Sequence, residues 1–206
     1  MGTHHRSNAS NWARQTRQRG INQPFSQHVL SPEVEHYLCN WTHPSAISGR
    51  AASHELLQEL ARRIPSLIGG SADLARSDGT FLDEYPVIQA GNYLGRNIKY
   101  GVREFAMGHM DSGMSLTGFF IPFIGTFLAF SDYMRSAIRL TAIMRQKVIY
   151  QFTHDSLFVG QDGPTHQPVE QLMSLRLIPN LLVLLPADAN EVARAWIAAL
   201  GYDGPT

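Results

Sequence analysis

Apolar positions along this chain follow two rhythms that alternate from Ser53 onward. Leu56, Leu57, Leu60 and Ala61 recur at helical spacing as far as Arg63, and Pro65 stops that helix. Leu67-Ile68 is a short apolar strand running into Gly69-Gly70-Ser71-Ala72-Asp73. Residues 75–97 mix Gly, Asp, Asn and Pro with little periodicity and read as a long loop, a class that is often functional. A short strand is expected from Asn97 to Gly101, then a helix from Arg103 to Leu116. Phe123 to Phe130 reads as a strand, and Asp132 to Arg145 as a helix with Met134, Ile138, Ala142 and Ile143 on one face. Val148 to Thr153 is a strand, Val169 to Leu177 a helix, Leu181 to Leu185 an uninterrupted apolar strand, and Asn190 to Leu200 a last helix. Such alternation predicts an α/β fold, a mostly parallel sheet with helices on both faces.

Composition narrows the function classes. The chain has 206 residues, enough for one large domain or a domain plus a tail. Lys and Arg balance Asp and Glu, so nothing global points to nucleic acid or to an anionic membrane. No apolar run reaches the ~18 residues of a transmembrane helix. Cys39 is the one cysteine, which excludes an internal disulfide and suits a reducing compartment. We expect a cytoplasmic protein. The segment before Glu33 has no acidic residue but carries Arg6, Arg14, Arg17 and Arg19. It reads as disordered or linker sequence, with an organelle transit peptide as the alternative. The division expected is therefore a divergent segment over 1–45 and a domain over 46–206.

The densest polar stretch is Thr153-His154-Asp155-Ser156 followed by Asp162-Gly163-Pro164-Thr165-His166-Gln167-Pro168. It follows a strand and precedes a helix, where an α/β protein places its site. A capped turn would explain any one of these residues. Three further segments stand out: Tyr100-Gly101-Val102-Arg103-Glu104, with a carboxylate at a helix start; Phe127, Phe130 and Tyr133, spaced as core or as a slot for a flat heterocycle; and Gly69-Gly70, which permit close backbone approach to a ligand or another chain. Dinucleotide, Walker, nucleophile-elbow and His-Glu-x-x-His motifs do not occur, and the His and Asp residues lack metal-ligand spacing.

From about Arg50 to Thr206 the chain resembles the pyrimidine-binding domain of transketolase, a thiamine-diphosphate enzyme. The resemblance rests on Gly-Gly-Ser-Ala-Asp-Leu at 69–74, Gly-Val-Arg-Glu at 101–104, Gly-Thr-Phe-Leu at 125–128, Phe-Ser-Asp-Tyr-Met-Arg at 130–135, Thr-His-Asp-Ser at 153–156, Asp-Gly-Pro-Thr-His-Gln-Pro at 162–168 and Pro-Ala-Asp-Ala-Asn-Glu at 186–191. It implies transfer of a two-carbon ketol unit from a ketose phosphate to an aldose phosphate, as in the pentose phosphate pathway. Glu104 would bond the aminopyrimidine nitrogen, and Phe127, Phe130 and Tyr133 would hold that ring. Asp73 would lie near the cofactor at a subunit contact. His166, counted as catalytic with Glu104, would contact the donor's hydroxyl and carbonyl region, and Asp162 the adjacent hydroxyl. Arg50, Ser77 and His154 would hold the sugar's terminal phosphate.

Two departures qualify the resemblance. Phe105 follows Glu104 where the family usually has His. No Gly-Asp-Gly is present, so Mg²⁺ and the diphosphate would be bound by a domain that this sequence does not contain. The pyrimidine domain is also expected to be incomplete at its carboxyl end, before a last strand that in the family leads to another phosphate-binding Arg. The resemblance implies a homodimer or a complementary diphosphate-domain chain as partner. Alternatives are a truncated, inactive transketolase-like dimerisation module and a dihydroxyacetone synthase-like ketol transferase; a deoxyxylulose-phosphate synthase fits the motifs less well.

Overall fold

A computed structural model of the chain describes residues 30–156 and 158–206, together with Arg14. Four strands form one parallel sheet: β1 (Leu67–Ser71), β2 (Asn97–Lys99), β3 (Ile121–Phe127) and β4 (Ile149–Thr153), in the order β2-β1-β3-β4. The register aligns Gly69 with Asn97 and Phe123, and Phe123 with Ile149. Six α-helices accompany the sheet among the described residues: α1 (Pro32–Asn40), α2 (Gly49–Arg63), α3 (Glu104–Leu116), α4 (Ser131–Ile143), α5 (Gln171–Arg176) and α6 (Ala189–Gly201).

Strand alternation sorts the core into two layers. Phe123 and Ile149 point into a cluster with Leu56, Leu60, Val192 and Trp196 from α2 and α6. Ile124, Val148 and Tyr150, one residue out of step, enter a second cluster with Met107, Met134 and Ile138 from α3 and α4. Both faces of β3 are therefore buried, as a parallel strand covered by helices requires. The α/β class read from the sequence holds, and the strands are parallel throughout.

Several boundaries shift for local reasons. The strand expected over Phe123 to Phe130 ends at Phe127, and Leu128–Phe130 turns as a 3-10 helix that leads directly into α4. The same strand starts two residues earlier than expected, with Pro122 opposite Ile68. Leu181 to Leu185 is not a strand of the sheet: its described backbone links are Leu181 N–H donating to Ile178 O at 3.3 Å and Leu182 N–H donating to Pro205 O at 3.1 Å. The linker expected before residue 46 does not extend through Pro32–Asn40. Ser31 caps that helix through Val34 N–H, Pro32 opens it, and Val34 and Leu38 are buried against α2 and α6. The expectation for the preceding Arg-rich segment lies outside the described residues, Arg14 apart.

Gly69 and Gly70 are spent on the sheet itself. A Cβ on Gly69 would meet Phe123 O at 1.7 Å, and one on Gly70 would meet Ile98 O at 1.9 Å. The close approach they permit is strand to strand, not to a ligand. Arg96 fixes the same region from below, donating to Ala61 O (2.5 Å), Ile64 O (2.7 Å) and Leu67 O (2.7 Å) while stacking on Tyr85. It thereby satisfies carbonyls at the end of α2 that the helix cannot. No helix among the described residues is long and apolar enough to cross a membrane.

Candidate functional site

Every strand of the sheet delivers candidate residues from its carboxyl end. Past β1 come Asp73 and Ser77, past β2 Glu104, at the end of β3 Phe127 and Phe130, and past β4 His154. Parallel order makes this inevitable, since all four strands terminate on one edge.

The tightest grouping is a cluster of rings. Phe127 is buried at the last position of β3, and His154 stacks on it with centroids 3.6 Å apart. Phe130, one 3-10 turn later, lies nearly parallel to Phe127 at 5.9 Å and 12°. His166 meets Phe130 edge-on at 5.0 Å and Phe127 at 6.0 Å. Tyr133 touches Phe130 at 6.1 Å but is largely exposed on α4. The spacing of Phe127 and Phe130 admits no third ring between them, so a flat ligand would stack on the outer face of Phe130 or along the cluster's edge. The hydroxyls of Thr153 and Thr165 each lie 2.9 Å from the Nδ1 atom of the next residue, His154 and His166. Such bonds fix ring orientation.

His154 has a left-handed backbone, φ +55°, and so does Asp73, φ +68°. Both are rare for non-glycine residues and strained by order 1–3 kcal/mol. Burial, and secondarily the Arg50 guanidinium, hold the His154 imidazole below its ordinary pKa, while Asp162 and Asp155 pull it upward. Arg50, Asp162 and His166 are thus close enough to act on His154. Arg50 also donates from Nη1 to Ser77 O at 2.8 Å, which brings two of the three residues of the expected phosphate set together.

Glu104 stands apart. It is the first residue of α3 and is only 8% exposed, held where the helix dipole favours a carboxylate. Among the described residues no hydrogen bond or ring contact joins it to the aromatic–histidine cluster, because two strands separate β2 from β3's neighbour β4 in the sheet. Phe105 is half exposed beside it and packs edge-on against His109 at 4.4 Å. Asp73 and Asp162 are exposed on their loops.

Two positioning groups escaped the sequence reading. Asp78 is fully buried and accepts from the hydroxyl of Ser71 and from both N–H and hydroxyl of Thr80, which clamps the loop carrying Ser77 to β1. Burial raises its carboxyl pKa. Behind it runs a relay across three elements: Trp196 donates to Ser53, Ser53 to Gln151, and Gln151 to Asp78 O. Gln171 likewise ties the His166 loop to α4, donating to Asp132 at 2.8 Å and accepting from Val169 N–H. The Ser-Asp-Gly-Thr run at 77–80 carries the turn signal that could have marked Asp78. Among the described residues no group of three or more His, Cys, Asp or Glu side chains could hold a metal ion.

Comparison with known proteins identifies the family. The family model described as transketolase, pyrimidine binding domain, matches residues 45–206. Transketolase of Bacillus subtilis is 53% identical over 163 residues, covering 79% of this chain and 24% of the relative. Transketolase of Aquifex aeolicus is 54% identical over 158 residues, covering 76% and 23%. The chain therefore spans about a quarter of the length of the curated relatives it matches. Among solved structures, transketolase from Leishmania mexicana superposes with a TM-score of 0.78 at 40% identity, over 98% of this chain and 29% of that one. A chain described as a split gene transketolase, inactive beta4 tetramer, superposes with a TM-score of 0.62 at 29% identity, over 78% and 50%. By family match and by fold, the chain belongs to the transketolase family, as its pyrimidine-binding domain.

Proposed function

We propose that residues 46–206 form the pyrimidine-side wall of a thiamine-diphosphate ketol-transfer site. The observation that carries this reading is the ring cluster of Phe127, Phe130, His154 and His166, set on the same sheet edge as a buried Glu104. These residues suit the group: a flat aminopyrimidine finds an aromatic face on Phe130, and a carboxylate shielded from water is what a ring nitrogen needs as a proton-sharing partner. When bound, thiamine diphosphate supplies the electron sink for carbon–carbon cleavage.

The chain's own residues would do the rest. Glu104 holds a proton at the pyrimidine nitrogen, a general acid–base role suited to its low exposure. Phe127, Phe130 and Tyr133 orient the ring and exclude water, and Asp73 lies at the cofactor's edge. His166 addresses the donor's hydroxyl and carbonyl oxygens, and Asp162 the neighbouring hydroxyl. Arg50, His154 and Ser77 grip the phosphate of a ketose or aldose phosphate through charge-assisted bonds. A dianion beside His154 would raise its pKa, offsetting the effect of burial.

Mg²⁺ and the diphosphate would fall to another domain, and the split-gene neighbour supports a complementary chain as its carrier. The reading carries a cytoplasmic location with it. It is tested by titrating the chain with thiamine while following the ring signals of Phe130 and His166 by NMR. Saturable shifts at those rings, weakened by Glu104→Gln, are expected. Shifts confined to other surfaces would reject the slot.

A further inference from the structure

Four successive turns of α2 hold a single loop. Arg50, His54, Gln58 and Arg62 recur every fourth residue, so they line one stripe of the helix. Each reaches the segment after β1. Arg50 Nη1 donates to Ser77 O at 2.8 Å, and His54 Nδ1 stands 3.0 Å from Gly79 O. Gln58 Nε2 donates to Phe81 O at 2.9 Å, and Arg62 Nε donates to Glu84 at 3.0 Å. Gln58 also accepts from Asp83 N–H at 2.9 Å, and the second ring nitrogen of His54 lies 3.3 Å from the Asp83 carboxylate.

Loop carbonyls alternate between two anchors. Asp78 turns inward, its carboxylate to Ser71 and Thr80 and its carbonyl to Gln151. The carbonyls on either side of it, of Ser77 and Gly79, face α2 and are taken by Arg50 and His54. A carbonyl only accepts, so Nδ1 of His54 carries the proton of that bond. The loop also lies flat on the helix here. A Cβ on Gly79 would stand 3.3 Å from Arg50 O and 3.3 Å from His54 Cβ.

The bond from Arg50 to Ser77 O limits what Arg50 can do. One of the N–H donors of its rigid fork is spent there, so the guanidinium meets a phosphate only in the orientation that this bond sets. Where Ser77 O lies is decided by the next bond along the helix, two loop residues on. If residues 77–79 lifted from α2, the Ser77 hydroxyl and the Arg50 fork would lose their shared position beside His154.

We propose that His54 is a positioning residue for sugar-phosphate recognition. It touches no substrate. Its bond to Gly79 O holds residues 77–79 against α2, and so presents the Ser77 hydroxyl and the Arg50 guanidinium together to a phosphate beside His154. This role rests on Arg50, Ser77 and His154 being the phosphate grip, and it adds to them a residue that acts through the loop.

The test uses the 206-residue chain, with ribose 5-phosphate as probe and the His154 ring signals as the readout of an NMR titration. Wild type should shift saturably, and ribose without the phosphate should leave these signals in place. His54→Ala, its fold checked by circular dichroism, should weaken ribose 5-phosphate binding about fivefold, the scale of one lost hydrogen bond. His54→Asn, whose side-chain amide can still donate to Gly79 O, should keep the affinity within about twofold of wild type. Without sugar, amide exchange at Thr80 and Phe81 should quicken about tenfold in His54→Ala and stay slow in His54→Asn. A wild-type response that His54→Ala leaves undiminished overturns the positioning role alone. So does equal weakening by Ala and Asn, or unchanged exchange at Thr80 and Phe81. No saturable response of the wild-type chain, or an equal response to ribose, overturns the phosphate grip and the positioning role with it.

Discussion

Gly113 and Gly125 should answer the same substitution with opposite signs. Gly125 lies in β3 beneath the loop that carries Ser77. A Cβ there would stand 2.4 Å from Thr80 Cγ2 and 2.8 Å from Asp78 Oδ2, distances real Cβ atoms do not occupy. Neither neighbour yields freely, because Asp78 is locked by Ser71 and Thr80. Overpacking of this kind costs about 1–3 kcal/mol. For a chain of this size that corresponds to a midpoint lower by about 2–12 °C. Gly113 sits inside α3 with nothing within 4 Å of a built Cβ. Alanine there removes backbone freedom from the unfolded chain and should add about 0.4–1 kcal/mol, or about 1–4 °C. Thermal unfolding followed by circular dichroism, with urea titration beside it, measures both. A stabilised or neutral Gly125→Ala would show that the Asp78 clamp is looser than the distances imply, and would remove the basis for treating that loop as fixed.

Other outcomes follow from the same geometry. Phe127→Ala removes a buried ring that supports both Phe130 and His154, and should cost about 3–5 kcal/mol in denaturant unfolding while broadening the His154 ring signals. Arg96→Met removes three charge-assisted bonds, to the carbonyls of Ala61, Ile64 and Leu67, so a loss of about 3 kcal/mol or more is expected from the same measurement. For His154, the folded pKa is lowered, so the unfolded chain binds more protons between that value and the ordinary 6.5. Stability from this group is therefore present above about pH 6.5 and is lost as pH falls through the lowered value. The gap between wild type and His154→Asn should change across that window and be flat above it.

Much of the fold was legible because strand and helix rhythms here are uninterrupted. Leu56, Leu57 and Leu60 announce α2, and the Val148 to Thr153 run announces β4. Leu181 to Leu185 reads as a strand by the same rule, yet an apolar run becomes a strand only where a neighbour pairs with it, and its described links run to Ile178 and Pro205. The helix Pro32–Asn40 lies next to an Arg-rich stretch whose composition reads as linker, although Ser31-Pro32 is a cap signal. Among the site residues, the ring cluster is long-range geometry: nothing local says that His154 folds back on Phe127 or that His166 reaches Phe130. Arg50 and Ser77, 27 positions apart, meet only because α2 and the loop after β1 converge. Asp78 carries no local sign of burial, because a carboxylate is ordinarily exposed and only its three donors, from Ser71 and Thr80, explain its place in the core.

The most direct measurement combines this chain with a chain carrying the diphosphate-binding domain of a transketolase, in thiamine diphosphate and Mg²⁺. Ketol transfer from xylulose 5-phosphate to ribose 5-phosphate is then followed by product formation. Transfer that requires this chain, falls at least a hundredfold with Glu104→Gln, and changes with Phe105→His is the predicted result. No transfer in the mixture, or transfer that Glu104→Gln leaves intact, would contradict a catalytic role for this wall.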